Sequence, residues 1–146
     1  PGTVNTDMVM NLDFAQTFLE IAGAEQPEDM QGASMKPVFE GKTPEDWRQS
    51  VYYHYYEFPG AHSVARHYGV TNGRHKLIHF YQNDEWELFD LKKDPNELLS
   101  VYGNSDYKKI QSDLLAELKR LRVHYKVPEE DPVRPQRQRP NRPKKK

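Results

Sequence analysis

The stretch GVTNGRHKLIHFYQNDEWELFDL, from Gly69 to Leu91, constrains the fold of this chain more than any other. Asn72-Gly73 is the strongest short hairpin signal a sequence can carry, because both residues tolerate a positive φ. Apolar residues alternate on either side of it, and Gln82 to Glu85 supplies a second turn. The pattern predicts strands at His67 to Thr71, His75 to Tyr81 and Trp86 to Asp90. Upstream, SVYYHYYEF is rich in Val, Tyr and Phe and reads as another strand, ended by Pro59-Gly60. Strands joined by such short turns pair antiparallel, so the expectation is a meander of about four strands.

A sheet of this kind needs a cover. SDYKKIQSDLLAELKRLRVHYKV places Tyr107, Ile110, Leu114, Leu118, Leu121 and Tyr125 on one helical face, with Leu115 beside it and Ser105 or Asp106 able to cap. At the other end, NTDMVMNLDFAQTFLEIAG has Met8, Leu12, Ala15, Leu19 and Ala22 in helical register. Phe18 and Ile21 widen that stripe, Asn5, Thr6 or Asp7 can cap it, and Gly23 suits its end. Apolar over more than half its circumference, this helix is expected to sit between two layers. The irregular connection that follows, with one short helical turn expected at Lys36 to Glu40, is long enough that it should cross or line something. The fold class expected is α+β: an antiparallel sheet of about four strands with a long C-terminal helix on one face, preceded by one helix. The divisions expected are 1–45, 46–127 and 128–146.

The 146 residues carry a net charge of -1 that hides an asymmetry. From Pro128 onward there are seven Lys or Arg, three acids and five prolines, which predicts an extended, mobile basic tail on a mildly acidic body. Such a body offers no broad basic face, so nucleic acid is not an expected partner of the folded part. No apolar run approaches a membrane span, and PGTVNTDMVM has no signal-peptide pattern. With no cysteine there is no disulfide framework and no thiolate ligand.

Four of the six histidines lie between Tyr56 and Phe80. His62, His67, His75 and His79 do not follow the spacing of known zinc motifs, so no metal ligand is assigned. No serine sits on a Gly-x-Ser-x-Gly elbow, and no glycine-rich phosphate loop is present. Glu85 with Glu87, and Glu28 with Asp29, read as solvated turn and strand residues, so no catalytic residue is assigned. His62 differs from the strand histidines because it follows Pro59-Gly60 in a loop, where an imidazole is free to meet a ligand. Arg66 and His67 close the same segment.

Several motifs, in order along the chain, resemble the C-terminal end of a type I formylglycine-dependent sulfatase of the alkaline-phosphatase-like superfamily. NLDFAQTFLEIAG is similar to the helix that closes that family's large domain, with Asp13, Thr17, Ala22 and Gly23 matching and Gln16 where proline is usual. MQGASMKPVFEG and WRQSVYYHYYE resemble the next segment and the first strand of the small subdomain. GVTNGRHKLIHFY and ELFDLKKDPNEL are the sharpest matches. In the second, Asp94-Pro95 with Glu97 is expected to turn and cap the chain rather than to do chemistry.

The resemblance implies a parent enzyme that hydrolyses sulfate esters, of carbohydrate or glycosaminoglycan type, and is periplasmic, secreted or lysosomal. Its calcium and formylglycine are expected in an N-terminal catalytic domain, not in these residues, since no Cys/Ser-x-Pro/Ala-x-Arg motif occurs here. By itself this fragment is expected to be inactive. His62, Arg66 and His67 become expected substrate-binding residues on the pocket rim, with Tyr56 and Glu57 shaping it. The expected partners are the chain's own catalytic domain, a sulfated carbohydrate and, for the isolated fragment, further copies of itself. The rival reading is a non-enzymatic interaction module whose basic tail holds an anionic polymer or a partner protein.

Overall fold

The computed structural model describes residues 2–60 and 62–131. Expectations for the basic segment from Pro132 onward fall outside the described residues. Four antiparallel strands, β1 (Val51–Tyr55), β2 (His67–Thr71), β3 (His75–Phe80) and β4 (Glu85–Asp90), form one sheet in the order β1-β2-β3-β4. Two helices, α1 (Asp13–Ala22) and the single turn α2 (Lys36–Phe39), precede the sheet, and α3 (Lys108–His124) follows it. The α+β meander expected from the turn signals is the fold observed.

Turn chemistry sets the register. Asn72 Oδ1 accepts from the amides of Arg74 (3.1 Å) and His75 (2.7 Å), while Gly73 takes a φ of 84° that a β-branched residue would resist. Register then places one apolar residue per strand in a row: Tyr52 opposite Val70, Val70 opposite Leu77, Leu77 opposite Leu88. Leu114, Leu118 and Leu121 of α3 lie on this row, and all seven are buried. Each fully buried side chain of this size contributes roughly 1.5–3 kcal/mol.

Several boundaries differ from expectation for identifiable reasons. β1 ends at Tyr55, not Phe58, because β2 begins opposite it at His67, leaving Tyr56 to Phe58 no strand to pair with. Asn104, rather than Ser105 or Asp106, caps the C-terminal helical segment. Its side chain accepts from the Asp106 amide at 2.9 Å and opens a 3-10 turn, Ser105–Tyr107, that leads into α3. Asp94 caps its turn as expected, accepting from the amides of Leu98 (2.7 Å) and Leu99 (2.9 Å). Glu97 instead pairs with Lys76 on β3 at 2.6 Å.

The largest difference is in α1. It starts at Asp13, so Asn5, Thr6 and Asp7 do not cap it, and the face it buries within the chain is polar: Asp13, Gln16 and Thr17. Asp13 accepts from the amides of Met10 (2.6 Å) and Ala33 (2.9 Å), and Thr17 Oγ1 accepts from the Met35 amide at 2.8 Å. These bonds satisfy the backbone of the irregular connection, which crosses α1 on this side. Phe14, Phe18 and Ile21 point away and are 52%, 65% and 63% exposed. One side of the expected sandwich is thus the loop; the apolar side has no cover among the described residues.

Candidate functional site: the His62 segment and the aromatic end of the sheet

At the β1 end of the sheet, alternation puts Tyr52, His54, Tyr68 and His79 on the face that α3 covers. Beyond β1, the chain leaves the sheet at Tyr56 and returns at His67. The intervening segment carries His62, which is exposed.

The ring of Tyr56 stacks on His54 with centroids 3.8 Å apart, and Tyr68 and Tyr81 meet the same imidazole edge-on at 5.4 and 5.5 Å. Arg122 of α3 lies over the Tyr68 ring at 4.2 Å. His54 Nδ1 is 3.0 Å from the Tyr52 hydroxyl. Burial dominates the charge state of His54. It pushes the imidazole down to about 4, the nearby Asp131 carboxylate offsets this in part, and Arg122 and His67 add to it. His54 is therefore neutral at pH 7. Burial also pushes the phenol of Tyr81 up, assisted by its bond to Asp131.

The structure separates the three expected rim residues. His62 faces outward. Arg66 turns inward: Nη2 donates to the Phe58 carbonyl (2.9 Å) and Nη1 pairs with Asp131 (3.1 Å). His67 lies on the sheet face opposite α3, stacked against Tyr55 at 5.4 Å, tilted on Phe80 at 5.2 Å and edge-on to Tyr53 at 5.9 Å. Its Nδ1 is 2.8 Å from the Ala65 carbonyl. Tyr56, expected to shape the rim, stacks on His54, and Glu57 is exposed.

Asp131 is the residue that sequence reasoning missed. Besides Arg66 it accepts from the Tyr81 hydroxyl at 2.7 Å and lies 3.7 Å from His54 Nε2. Composition assigned it to the tail, yet Pro128 to Asp131 continue the folded body. Its sequence signal is only that it ends the acidic run Glu129-Glu130-Asp131 ahead of the basic residues, too weak to pair it with residues 50 and 65 positions away.

A cleft of about 390 Å³ opens beside this cluster, lined by Met10, Leu12, Tyr52, His54, Tyr56 and Tyr125 among others. Its walls come from the N-terminal segment, β1 and the end of α3. Among the described residues no group of three or more His, Cys, Asp or Glu could hold a metal ion. The histidine–carboxylate contacts are pairs, such as His75 with Asp90 (3.7 Å) and His79 with Asp84 (2.9 Å). Among the described residues, no helix is long and apolar enough to cross a membrane. The arrangement offers hydrogen-bonding groups and ring faces at the edge of a cleft.

Residues 1–124 match the family described as N-sulphoglucosamine sulphohydrolase, C-terminal. The chain is 52% identical over 128 residues to the N-acetylglucosamine-6-O-sulfatase of Bacteroides thetaiotaomicron, covering 86% of this chain and 23% of that protein. It is 35% identical over 110 residues to an arylsulfatase of Clostridium perfringens, covering 73% and 21% respectively. A structure solved in complex with its substrate D-glucosamine-2-N,6-O-disulfate superposes with a TM-score of 0.84 at 49% identity, over 88% of this chain and 26% of that one. The chain thus spans about a quarter of the length of these relatives.

Proposed function

Because the chain belongs to the family of N-sulphoglucosamine sulphohydrolase C-terminal domains, a part of sulfatases of the alkaline-phosphatase-like superfamily, we propose that it forms one wall of the substrate pocket in an enzyme that removes 6-O-sulfate from glucosamine units of glycosaminoglycans. The observation that carries this reading is the identity of about half the residues, along nearly the whole chain, to an enzyme named for that bond. Relatives named for other specificities are less similar, among them a 2-O glycosaminoglycan sulfatase at 25% identity.

In this reading the chemistry is supplied by an N-terminal catalytic domain. A hydrated formylglycine and a calcium ion there would provide the nucleophile and neutralise the sulfate. Residues of this chain do not fit either group: it has no cysteine and no Cys/Ser-x-Pro/Ala-x-Arg motif, and no described cluster suits a metal. The chain's contribution is to bind and orient. His62 hydrogen-bonds a sugar hydroxyl or sulfate oxygen, the His54–Tyr56 stack supports the cleft that both residues line, and the exposed face of α1 packs on the catalytic domain. His67, held among rings, supports the segment's return into the sheet.

The test is sulfate release from glucosamine 6-O-sulfate by the complete protein and by residues 1–146 alone. The reading predicts turnover by the first and none by the second. A complete protein that leaves every 6-O-sulfated hexosamine intact, while residues 1–146 bind heparin-like polymers in a salt-dependent way, would overturn it in favour of an interaction module.

A further inference from the structure

Arg66 stands where three pieces of chain meet. Its amide donates to Gln82 Oε1 in the β3–β4 turn (3.3 Å), and its Nη2 donates to the Phe58 carbonyl (2.9 Å). Nη1 pairs with Asp131 Oδ2 (3.1 Å). Phe58 and Arg66 flank the stretch Pro59 to Ala65, which carries His62, so a single guanidinium ties the two ends of that stretch together. The guanidinium is held in turn by a carboxylate from the segment after α3. Asp131 is itself fixed, because the Tyr81 hydroxyl donates to the same oxygen at 2.7 Å and His54 Nε2 lies 3.7 Å from the other. Charge-assisted bonds that converge in this way restrict a side chain far more than an isolated surface ion pair does.

We propose that Asp131 is a positioning residue for substrate recognition: through Arg66 it holds together the two ends of the His62 segment and so fixes where His62 meets the sugar. The proposal rests on the pocket-wall reading above. It assigns Arg66 a different role from a sulfate ligand. Its charge is already met by Asp131, and the carbonyl it bonds belongs to the chain, so its positive charge serves the segment rather than the substrate. Asp131 touches no substrate in this account.

The experiment uses the complete protein with Asp131→Asn, which keeps shape and removes charge, and Asp131→Glu, which restores charge on a longer arm. Two quantities are read: amide hydrogen exchange of the peptide covering Phe58 to Arg66, and KM against kcat on glucosamine 6-O-sulfate. Asparagine is expected to raise exchange about tenfold through local opening. It should also raise KM about fivefold with kcat within about twofold, the pattern of a lost binding contribution. Glutamate should recover most of both. Unchanged exchange in Asp131→Asn would show that no clamp exists and overturn the proposal. A lowered KM would also overturn it, because Arg66 would then be an anion receptor that Asp131 masks. Raised exchange with an unchanged KM overturns the link to recognition. If His62→Ala is equally silent on KM, the pocket-wall reading has failed with it; if His62→Ala raises KM, that reading stands and only the Asp131 link falls.

Discussion

The guanidinium of Arg48 grips both oxygens of the Asp13 carboxylate, Nη2 to Oδ1 at 2.7 Å and Nη1 to Oδ2, and so joins α1 to the segment that enters the sheet. Asp13 is fully buried and Arg48 nearly so. Burial alone would pull this carboxyl upward, but the Arg48 bonds and the amides of Ala33 and Met10 outweigh it and hold it below the usual carboxylate range.

Removing one partner of such a pair strands the other. Arg48→Ala is expected to destabilise the fold by about 3–5 kcal/mol, measured as a shift in denaturant midpoint. The stabilisation from Asp13 is present above the unfolded carboxyl's pKa of about 3.9 and lost as pH falls through its lower folded value. Asp13→Asn should therefore flatten the most acidic limb of the stability profile. A change below about 1 kcal/mol in Arg48→Ala would show that α1 is not held by this pair.

The outward face of α1 makes a separate prediction about association. Phe14 and Phe18, 6.3 Å apart, form an exposed aromatic pair extended by Ile21. Residues 1–146 prepared alone should self-associate through this face, and Phe14→Glu with Phe18→Glu should restore monomers in sedimentation velocity. A parent fragment that stays monomeric at high concentration would contradict it.

His54 predicts a pH dependence of opposite origin to a surface histidine's. An unfolded chain takes up this proton as pH drops below about 6.5, whereas the folded imidazole, held at about 4, refuses it. Stability is therefore complete above about pH 6.5 and falls as pH drops toward 4, by at most about 1.4 kcal/mol per unit. His54→Gln should reduce that slope without abolishing it, because burial also lowers the pKa of His75. A slope identical to the parent's would mean that His54 is already charged in the fold.

Gly69 tests the packing of the sheet face opposite α3. A Cβ built there would lie 2.5 Å from the Tyr53 hydroxyl and closer still to the Leu77 carbonyl, which is backbone and cannot swing away. Gly69→Ala should cost about 1–3 kcal/mol through overpacking. A neutral substitution would show that the β2–β3 pairing at Leu77 yields to the added methyl and that the Tyr53 ring moves with it.

What was legible in the sequence follows from range. Asn72-Gly73, Asp94 and the Leu114/Leu118/Leu121 stripe act on neighbours in the chain, and the sheet, its order and its helical cover followed from them. Periodicity misled at α1, because a stripe of apolar residues marks a buried face only if the burying partner lies in the same chain. Here Phe14 and Phe18 are exposed among the described residues, and Asp13 and Thr17 do the packing that the connection requires. The site was the least legible part. The exposure of His62 could be read from its loop, but the inward turn of Arg66 depends on Asp131, 65 residues away.

The most direct test of the account is the effect of His62→Ala in the complete protein on two substrates, glucosamine 6-O-sulfate and a small aryl sulfate. Loss of one hydrogen bond to a sugar or its sulfate, at about 1.4 kcal/mol, predicts about a tenfold fall in kcat/KM for the sugar with the aryl sulfate changed less than about twofold. Equal kcat/KM values for variant and parent on both substrates would contradict the assignment of this segment to the wall of the substrate pocket.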